Sequence, residues 1–173
     1  MRVTVIIPAY NEVHTIHEIL RRVQAENVAD EIIVVDNGSS DSTRDIAKKA
    51  GAKVLHHQNQ PTKLNQAKNF GFEHAASEWI ISLDSDERID ADLKGQILEL
   101  LKQDSILHHG FRIPRKNIIF GKWMKHSRWW PDYNIRLFKK PRSAIYSMQA
   151  NQLVCGSIWT NSNTAFYGQP HLV

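Results

Sequence analysis

Trp79-Ile80-Ile81-Ser82-Leu83-Asp84-Ser85-Asp86-Glu87 passes from an apolar run directly into three carboxylates. Such a run reads as a buried strand that delivers acid to the edge of a sheet. In an open parallel sheet, ligands sit just beyond the carboxyl ends of the strands. Two aspartates one residue apart at that point can therefore share a divalent cation. The plainer alternative is an Asp-containing turn after a strand, so the surrounding chain has to decide.

Outward from this stretch, the first hundred residues alternate strands with helices. Residues 3–7 are a continuous β-branched run followed by Pro8-Ala9-Tyr10-Asn11-Glu12, and residues 31–35 are a second followed by Asp36-Asn37-Gly38-Ser39-Ser40-Asp41. Residues 53–57 make a third. Helical stripes lie between: Val13, Ile16, Ile19, Leu20 and Val23, with Asn11 as N-cap; residues 42–50, with Gly51 suited to the C′ position; Leu64, Ala67, Gly71 and Ala75; and Ile89, Leu93, Ile97, Leu100 and Leu101. Strand-helix units at this spacing imply a mainly parallel sheet with right-handed crossovers.

Beyond Gly110 the pattern changes. Residues 111–114, 117–120, 134–139 and 144–147 read as short strands without helices between them, hence antiparallel additions. Residues 123–131, with three tryptophans among basic residues, read as a loop over the open end of the sheet. From Met148 onward the pattern is weak, and 148–173 reads as a divergent or truncated tail.

Composition narrows the class. A chain of 173 residues with 42% hydrophobic and 23% charged residues is expected to form one folded domain rather than two or a disordered segment. No apolar run approaches the ~20 residues of a membrane span, so the chain is expected to be soluble by itself. The N-terminus lacks a small-residue cleavage site and reads as a first strand. One cysteine, Cys155, excludes an intrachain disulfide and a multi-cysteine zinc site, which fits a reducing, cytoplasmic setting. The net charge of +4 is unevenly spread: residues 112–142 hold ten Lys or Arg and a single acid, Asp132. An anionic partner follows, whether phosphorylated substrate, phospholipid or nucleic acid.

Three polar clusters thus converge on one sheet edge. Asp84 and Asp86 suit a hard cation that also binds phosphate oxygens, Asp36 suits hydrogen bonds from a base or ribose, and Gly38 permits close backbone approach. Asn11, Ser40 and Asp41 equally suit helix capping. His14 and His17, beside Glu18, lie opposite the core stripe and read as a solvated face. The pairs His56-His57 and His108-His109 read as surface residues, since no third ligand stands at metal spacing.

In order and spacing, the segments 5–12, 33–41 and 83–87 resemble the family 2 inverting glycosyltransferases of GT-A fold. That resemblance implies a Rossmann-like three-layer α/β sandwich and a nucleotide diphosphate sugar donor, most simply UDP-linked. It also implies a divalent metal, Mn2+ or Mg2+, at Asp84 and Asp86, with Ser85 between them. Pro8, Tyr10, Asn11, Glu12, Asp36, Gly38 and Ser39 are then expected to line the nucleotide pocket. Gln66-Ala67-Lys68-Asn69-Phe70-Gly71 is similar to a further family segment, so Lys68 and Asn69 are expected to help hold the nucleotide. Segments 84–88, 110–115 and 130–138 resemble the subgroup containing lipopolysaccharide-core β-glucosyltransferases. On this reading residues 1–104 are the nucleotide-sugar-binding half and 105–147 the acceptor half of one GT-A domain spanning 1–147. The subgroup continues with a His-Glu pair and a further C-terminal region, where this chain has Asn151-Gln152 and then ends at Val173.

An inverting transfer needs a base to take the proton of the attacking hydroxyl. Asp132 is the leading candidate, with Trp130 and Tyr133 beside it to stack on a sugar, and Glu87 is the other. A salt bridge from Asp132 to Arg136 or Arg128 is the structural alternative. Arg112, Trp130, Tyr133 and Arg136 are the expected acceptor contacts. The expected function is hexose transfer to a saccharide or glycolipid acceptor in cell-envelope glycan synthesis, lipopolysaccharide included, with possible peripheral contact at an anionic membrane. The alternatives are a truncated nucleotide-sugar-binding remnant without activity and, from the basic and aromatic 112–142 segment, a single-stranded nucleic-acid binder.

Overall fold

The computed structural model describes residues 1–58, 64–126, 129–140, 150–152 and 158–161. The four expected strand-helix units are present: β1 (Val3–Ala9), α1 (Ile16–Glu26), β2 (Glu31–Asp36), α2 (Thr43–Lys49), β3 (Lys53–His56), α3 (Leu64–His74), β4 (Trp79–Ser82) and, after a short β5 (Glu87–Ile89), α4 (Ala91–Lys102). Strands β3, β2, β1 and β4 lie side by side and parallel. All four therefore end on one edge of the sheet.

The sequence explains why this sheet is buried on both faces. Along β1, Val5 and Ile7 point to one side, where they pack with α1 (Ile16, Leu20), Ala47 of α2 and α4 (Leu93, Ile97). Ile6 points to the other side with Ile33, Val35 and Ile80, against Ala67 and Phe72 of α3 and Ala75 just after it. The result is three layers, and each fully buried Ile, Val or Leu contributes roughly 1.5–3 kcal/mol of transfer free energy. The α3 layer sits unusually close: a Cβ on Gly71 would lie 2.8 Å from the Cγ2 methyls of both Ile6 and Val35. Helix α2 ends as expected, with Gly51 at φ +82 and the Gly51 and Ala52 amides donating back to Lys48 and Ala47.

The second half extends the same sheet. β6 (Gly110–Ile119) and β8 (Asp132–Lys139) are antiparallel to each other, and β8 is antiparallel to β4. β7 (Lys122–Trp123) folds back on β6 through a two-residue turn, Phe120-Gly121, with φ of +50 and +73. β9 (Ala150–Gln152) and β10 (Ile158–Asn161) run parallel to β6, and β10 also pairs antiparallel with β5.

Several expectations change. Residues 111–114 and 117–120 are one strand, because β8 on one edge and β9 and β10 on the other hold the polar 114–117 stretch extended. Ile89 belongs to β5 rather than to α4, whose start is fixed by Asp90, accepting the Leu93 amide at 2.8 Å. Asn11 does not cap α1. It adopts φ +53 in a loop stapled to the β2 loop, and the helix starts five residues later with Thr15 in the cap position. Val13 consequently lies outside the helix. Trp123 is in β7, so the tryptophan-rich loop begins after it. Residues 150–152 and 158–161 are sheet strands, not a patternless tail, whereas 144–147 lie outside the described residues.

Candidate functional site

The carboxyl ends of β1, β2 and β4 bring the three polar clusters together. The β1 loop is stapled to the β2 loop by its own backbone. The Asn11 amide donates to Ser39 Oγ (3.0 Å), the Glu12 amide to Thr43 Oγ1 (2.8 Å) and the Val13 amide to Asp41 Oδ2 (3.3 Å). Asn11 Oδ1 in return accepts the Ser40 amide at 2.9 Å. Pro8 sits where β1 has outrun β4, whose pairing stops at Ile6 with Ser82, so its missing N–H breaks no β4 ladder bond. The third loop joins through Ser85 Oγ, which donates to Glu12 Oε1 at 2.7 Å. Glu12 also accepts from Thr15.

Asp36 is 0% exposed. Its carboxylate accepts the Ser39 amide (3.2 Å), contacts His56 Nδ1 (3.2 Å) and lies 3.5 Å from Arg44 Nε. It therefore anchors the β2 loop from beneath, while Tyr10, Asn37, Gly38, Arg44 and His56 form the rim. Arg44 was not singled out in the sequence, and His56 reads there only as a surface residue. His56 follows from register, because β2 and β3 pair Asp36 with His56.

The acid loop is an ion cluster. Asp84 Oδ1 is 2.7 Å from Lys68 Nζ of α3 and Oδ2 is 2.9 Å from Arg136 Nη2 of β8. Arg136 also pairs with Glu87, whose second oxygen accepts the Asp84 amide at 2.9 Å. Arg136 is 6% exposed and Glu87 2%. The pair thus lies under the loop rather than on an acceptor surface. Burial pushes the Glu87 carboxyl up to about 7; Arg136 opposes that rise and Asp84 adds to it. For Asp84 burial also pushes upward, but Arg136 and Lys68 outweigh it and hold the group below the usual range. Asp86 is raised, first by burial and then by the charges of Asp84 and Glu12.

Asp86 makes no ion pair among the described residues, although it lies in negative potential. That is the environment a cation relieves, and Asp86 with Asp84 fits a divalent ion whose remaining ligands are phosphate oxygens and water. Among the described residues, no group of three or more His, Cys, Asp or Glu forms a metal cage without such a ligand.

On the β6–β8 side, Asp132 pairs with Arg115 (Nη2 2.6 Å, Nε 2.9 Å) and accepts from Asn134 Nδ2 at 3.2 Å. Among the described residues its partner is therefore not Arg136, which is committed to the acid loop; Arg128 lies outside the described residues. Arg115 also acts electrostatically on Asp86, lowering its proton affinity. Tyr133 and Arg112 are exposed, and Trp130 is half-buried edge-on against Trp123 with ring centroids 5.2 Å apart. Asn69 is half-buried on α3 beside Lys68. His14, just before α1, and His17 on it are exposed, and Glu18 pairs with Arg21 and Arg22, as the solvated-face reading expects.

The family model described as Glycosyl transferase family 2 matches residues 4–163. The chain belongs to that family. An uncharacterised glycosyltransferase of Rickettsia typhi is 29% identical to this family 2 chain over 153 residues, covering 86% of the chain and 50% of the relative. The chain spans about half the length of the first curated relatives it matches. Among solved structures, S. aureus TarS in complex with UDP-GlcNAc aligns with a TM-score of 0.58 at 24% identity, over 73% of this chain and 38% of that one. The mannosyltransferase PcManGT from Pyrobaculum calidifontis, in complex with GDP-Man and Mn2+, aligns at 0.55 and 23% identity, over 66% and 35%. These likenesses show the GT-A fold for this family 2 domain.

Proposed function

We propose that the chain is the donor-binding and catalytic portion of an inverting hexosyltransferase. Its donor is a nucleotide diphosphate sugar, UDP-linked, and its acceptor a lipid-linked saccharide or polysaccharide precursor of the cell envelope, with lipopolysaccharide-type glucosyl transfer the narrowest form. The observation that carries this reading is the convergence of the Tyr10–Glu12, Asp36–Ser39 and Asp84–Glu87 loops at one sheet edge, cross-linked by the Ser85–Glu12 hydrogen bond. Metal and nucleotide sugar in the PcManGT structure, and UDP-GlcNAc in that of TarS, support the donor class.

In this mechanism the rim of Tyr10, Asn37 and Gly38 receives the base and ribose, while Lys68 and Asn69 flank the diphosphate. Asp86, with Asp84, holds a divalent cation, which when bound neutralises charge on the departing diphosphate. Asp132 is the base that takes the acceptor hydroxyl proton. Its accessible position on β8 favours it over Glu87, whose pKa suits proton transfer but whose carboxyl is enclosed by Arg136 and the Asp84 amide. Arg115 holds Asp132 toward the acid loop, and Tyr133 and Trp130 present ring faces to the acceptor. The setting is the cytoplasmic face of a membrane. Among the described residues no helix is long and apolar enough to cross one.

The direct test is thermal unfolding of the chain with UDP, with and without Mn2+. Metal-dependent stabilisation is expected, and Asp86→Asn should remove the metal-dependent part while leaving folding intact. An equal metal effect in Asp86→Asn would overturn the cation assignment. Asp132→Asn should retain UDP binding and lose transfer. Unaltered transfer would remove Asp132 as base.

A further inference from the structure

The hairpin between β6 and β7 is built in a way that the interior of the protein does not require. Its two-residue turn has positive φ at both central positions, the geometry of a type I′ turn, which favours Asn, Asp or Gly because side chains at positive φ are crowded. The second position is Gly121, as expected. The first is Phe120, a bulky aromatic at φ +50 that is 79% exposed. It accepts the steric cost of the turn and keeps most of its ring in water, so neither local geometry nor core burial accounts for its identity.

What surrounds the ring is basic. Lys122 and Lys125 are exposed and form no ion pair among the described residues. Lys125 Nζ stands 4.6 Å from the centroid of Trp123, which also carries Lys116 at 5.4 Å. The nearby acids are already committed: Asp132 to Arg115 and Asp90 to Lys116. A second exposed aromatic, Trp129 at 42%, is tied to the same end of β6 by Asn117, whose side-chain amide donates to the Trp129 carbonyl at 3.2 Å. An apolar tip on a hairpin, flanked by exposed lysines that form no ion pair among the described residues and by an amphipathic indole, matches an anionic bilayer surface. The ring enters the headgroup and acyl boundary, the ammonium groups meet lipid phosphates, and the indole stays at the interface.

We propose that the Phe120-Gly121-Lys122 tip, with Lys125 and Trp129, docks this domain on an anionic membrane. This deepens the membrane-face setting proposed above by naming the surface, but its argument does not depend on which donor or acceptor the site uses.

The experiment is co-sedimentation of the chain with phosphatidylglycerol-containing vesicles and with pure phosphatidylcholine vesicles, run in parallel with the UDP-dependent melting shift. Phe120→Asn is the informative variant, since Asn suits a type I′ turn. It should melt no lower than the parent and keep the UDP response, yet lose roughly tenfold or more in partitioning to anionic vesicles, as expected for removing an aromatic ring from the interface. Lys122→Glu with Lys125→Glu should abolish that partitioning, and phosphatidylcholine vesicles should bind weakly in every case. If Phe120→Asn binds anionic vesicles as the parent does, the docking surface is wrong. The proposal also falls if the parent ignores anionic vesicles but binds oligonucleotides in a salt-dependent way that Phe120→Asn leaves unchanged, because the patch is then a nucleic-acid surface. Loss of the UDP response with vesicle binding intact would instead refute the donor-site reading and leave the docking surface standing.

Discussion

Arg136→Met tests the acid cluster most directly. Arg136 comes from β8 and reaches under the β4–β5 loop to two carboxylates, Asp84 at 2.9 Å and the buried Glu87. Removing it leaves Glu87 enclosed without its cation, and breaking a buried pair from one side typically costs about 3–5 kcal/mol. For a chain of this size a loss of 1 kcal/mol moves Tm by about 2–4 °C, so the variant should melt about 6–20 °C lower. The double variant Arg136→Met, Glu87→Leu behaves differently. It removes the charge left behind; the Arg136 Nε, buried without a hydrogen-bond partner among the described residues, is lost in both variants. Replacing a whole buried pair with apolar groups is often nearly neutral, so most of the lost stability should return. Asp84 keeps Lys68 in both variants. Urea unfolding of the parent, the two single variants and the double variant gives the coupling energy. A single-variant loss below about 1 kcal/mol, or a double variant no better than Arg136→Met, would refute a buried ionic link between β8 and the acid loop.

Three further changes probe the frame around the site. Gly71→Ala places a methyl 2.8 Å from two stiff β-branched side chains, and overpacking of about 1–3 kcal/mol should exceed the roughly 1 kcal/mol gained in helix propensity; a raised denaturation midpoint would contradict the close α3 packing. Asp90→Ala removes the α4 N-cap and should cost about 1 kcal/mol in urea unfolding at unchanged m-value. Asp41 has its carboxyl held below the usual range: burial acts upward, and hydrogen bonds from Thr43 and the Val13 amide outweigh it. A depressed folded-state pKa stabilises above the unfolded value and is lost as pH falls through the folded one. Asp41→Asn should therefore be less stable than the parent at pH 7, with the gap closing below about pH 4; a gap that is independent of pH would contradict it.

The parts legible in the sequence were those dictated by burial. β1, β2 and β4 are covered on both faces, so their apolar runs announce them, and the polar residues following each run must emerge at the same sheet edge. Asp84, Asp86, Asp36 and Glu12 were placed at that edge in this way. What was not legible is pairing between residues far apart in the chain. Nothing local marks Arg136 as the partner of Glu87 across 49 positions, or separates it from an acceptor-binding arginine. For Asp132 the sequence offered Arg136 or Arg128 as partner, whereas the β6–β8 register sets Arg115 directly opposite it. The β6 strand was divided because Pro114-Arg115-Lys116-Asn117 carries no apolar alternation, and its extended form comes from strands supplied by later residues.

These cross-links bear on how the proposed donor and acceptor halves would work together. β8 supplies both Arg136, which pairs with Asp84, and Asp132, while Arg115 of β6 holds Asp132 and acts on Asp86. The two arginines divide the loop between them. Arg136, with Lys68, neutralises Asp84, and Asp86 is left as the carboxyl with no cation paired to it among the described residues. A bound cation and diphosphate would then change the field at Asp86 and, through Arg115, at the carboxylate proposed to receive the acceptor proton. In this arrangement donor binding and base activation share one charged network, so Arg115→Ala should disturb metal-dependent UDP binding as well as transfer, whereas a purely acceptor-side Arg115 would affect transfer alone.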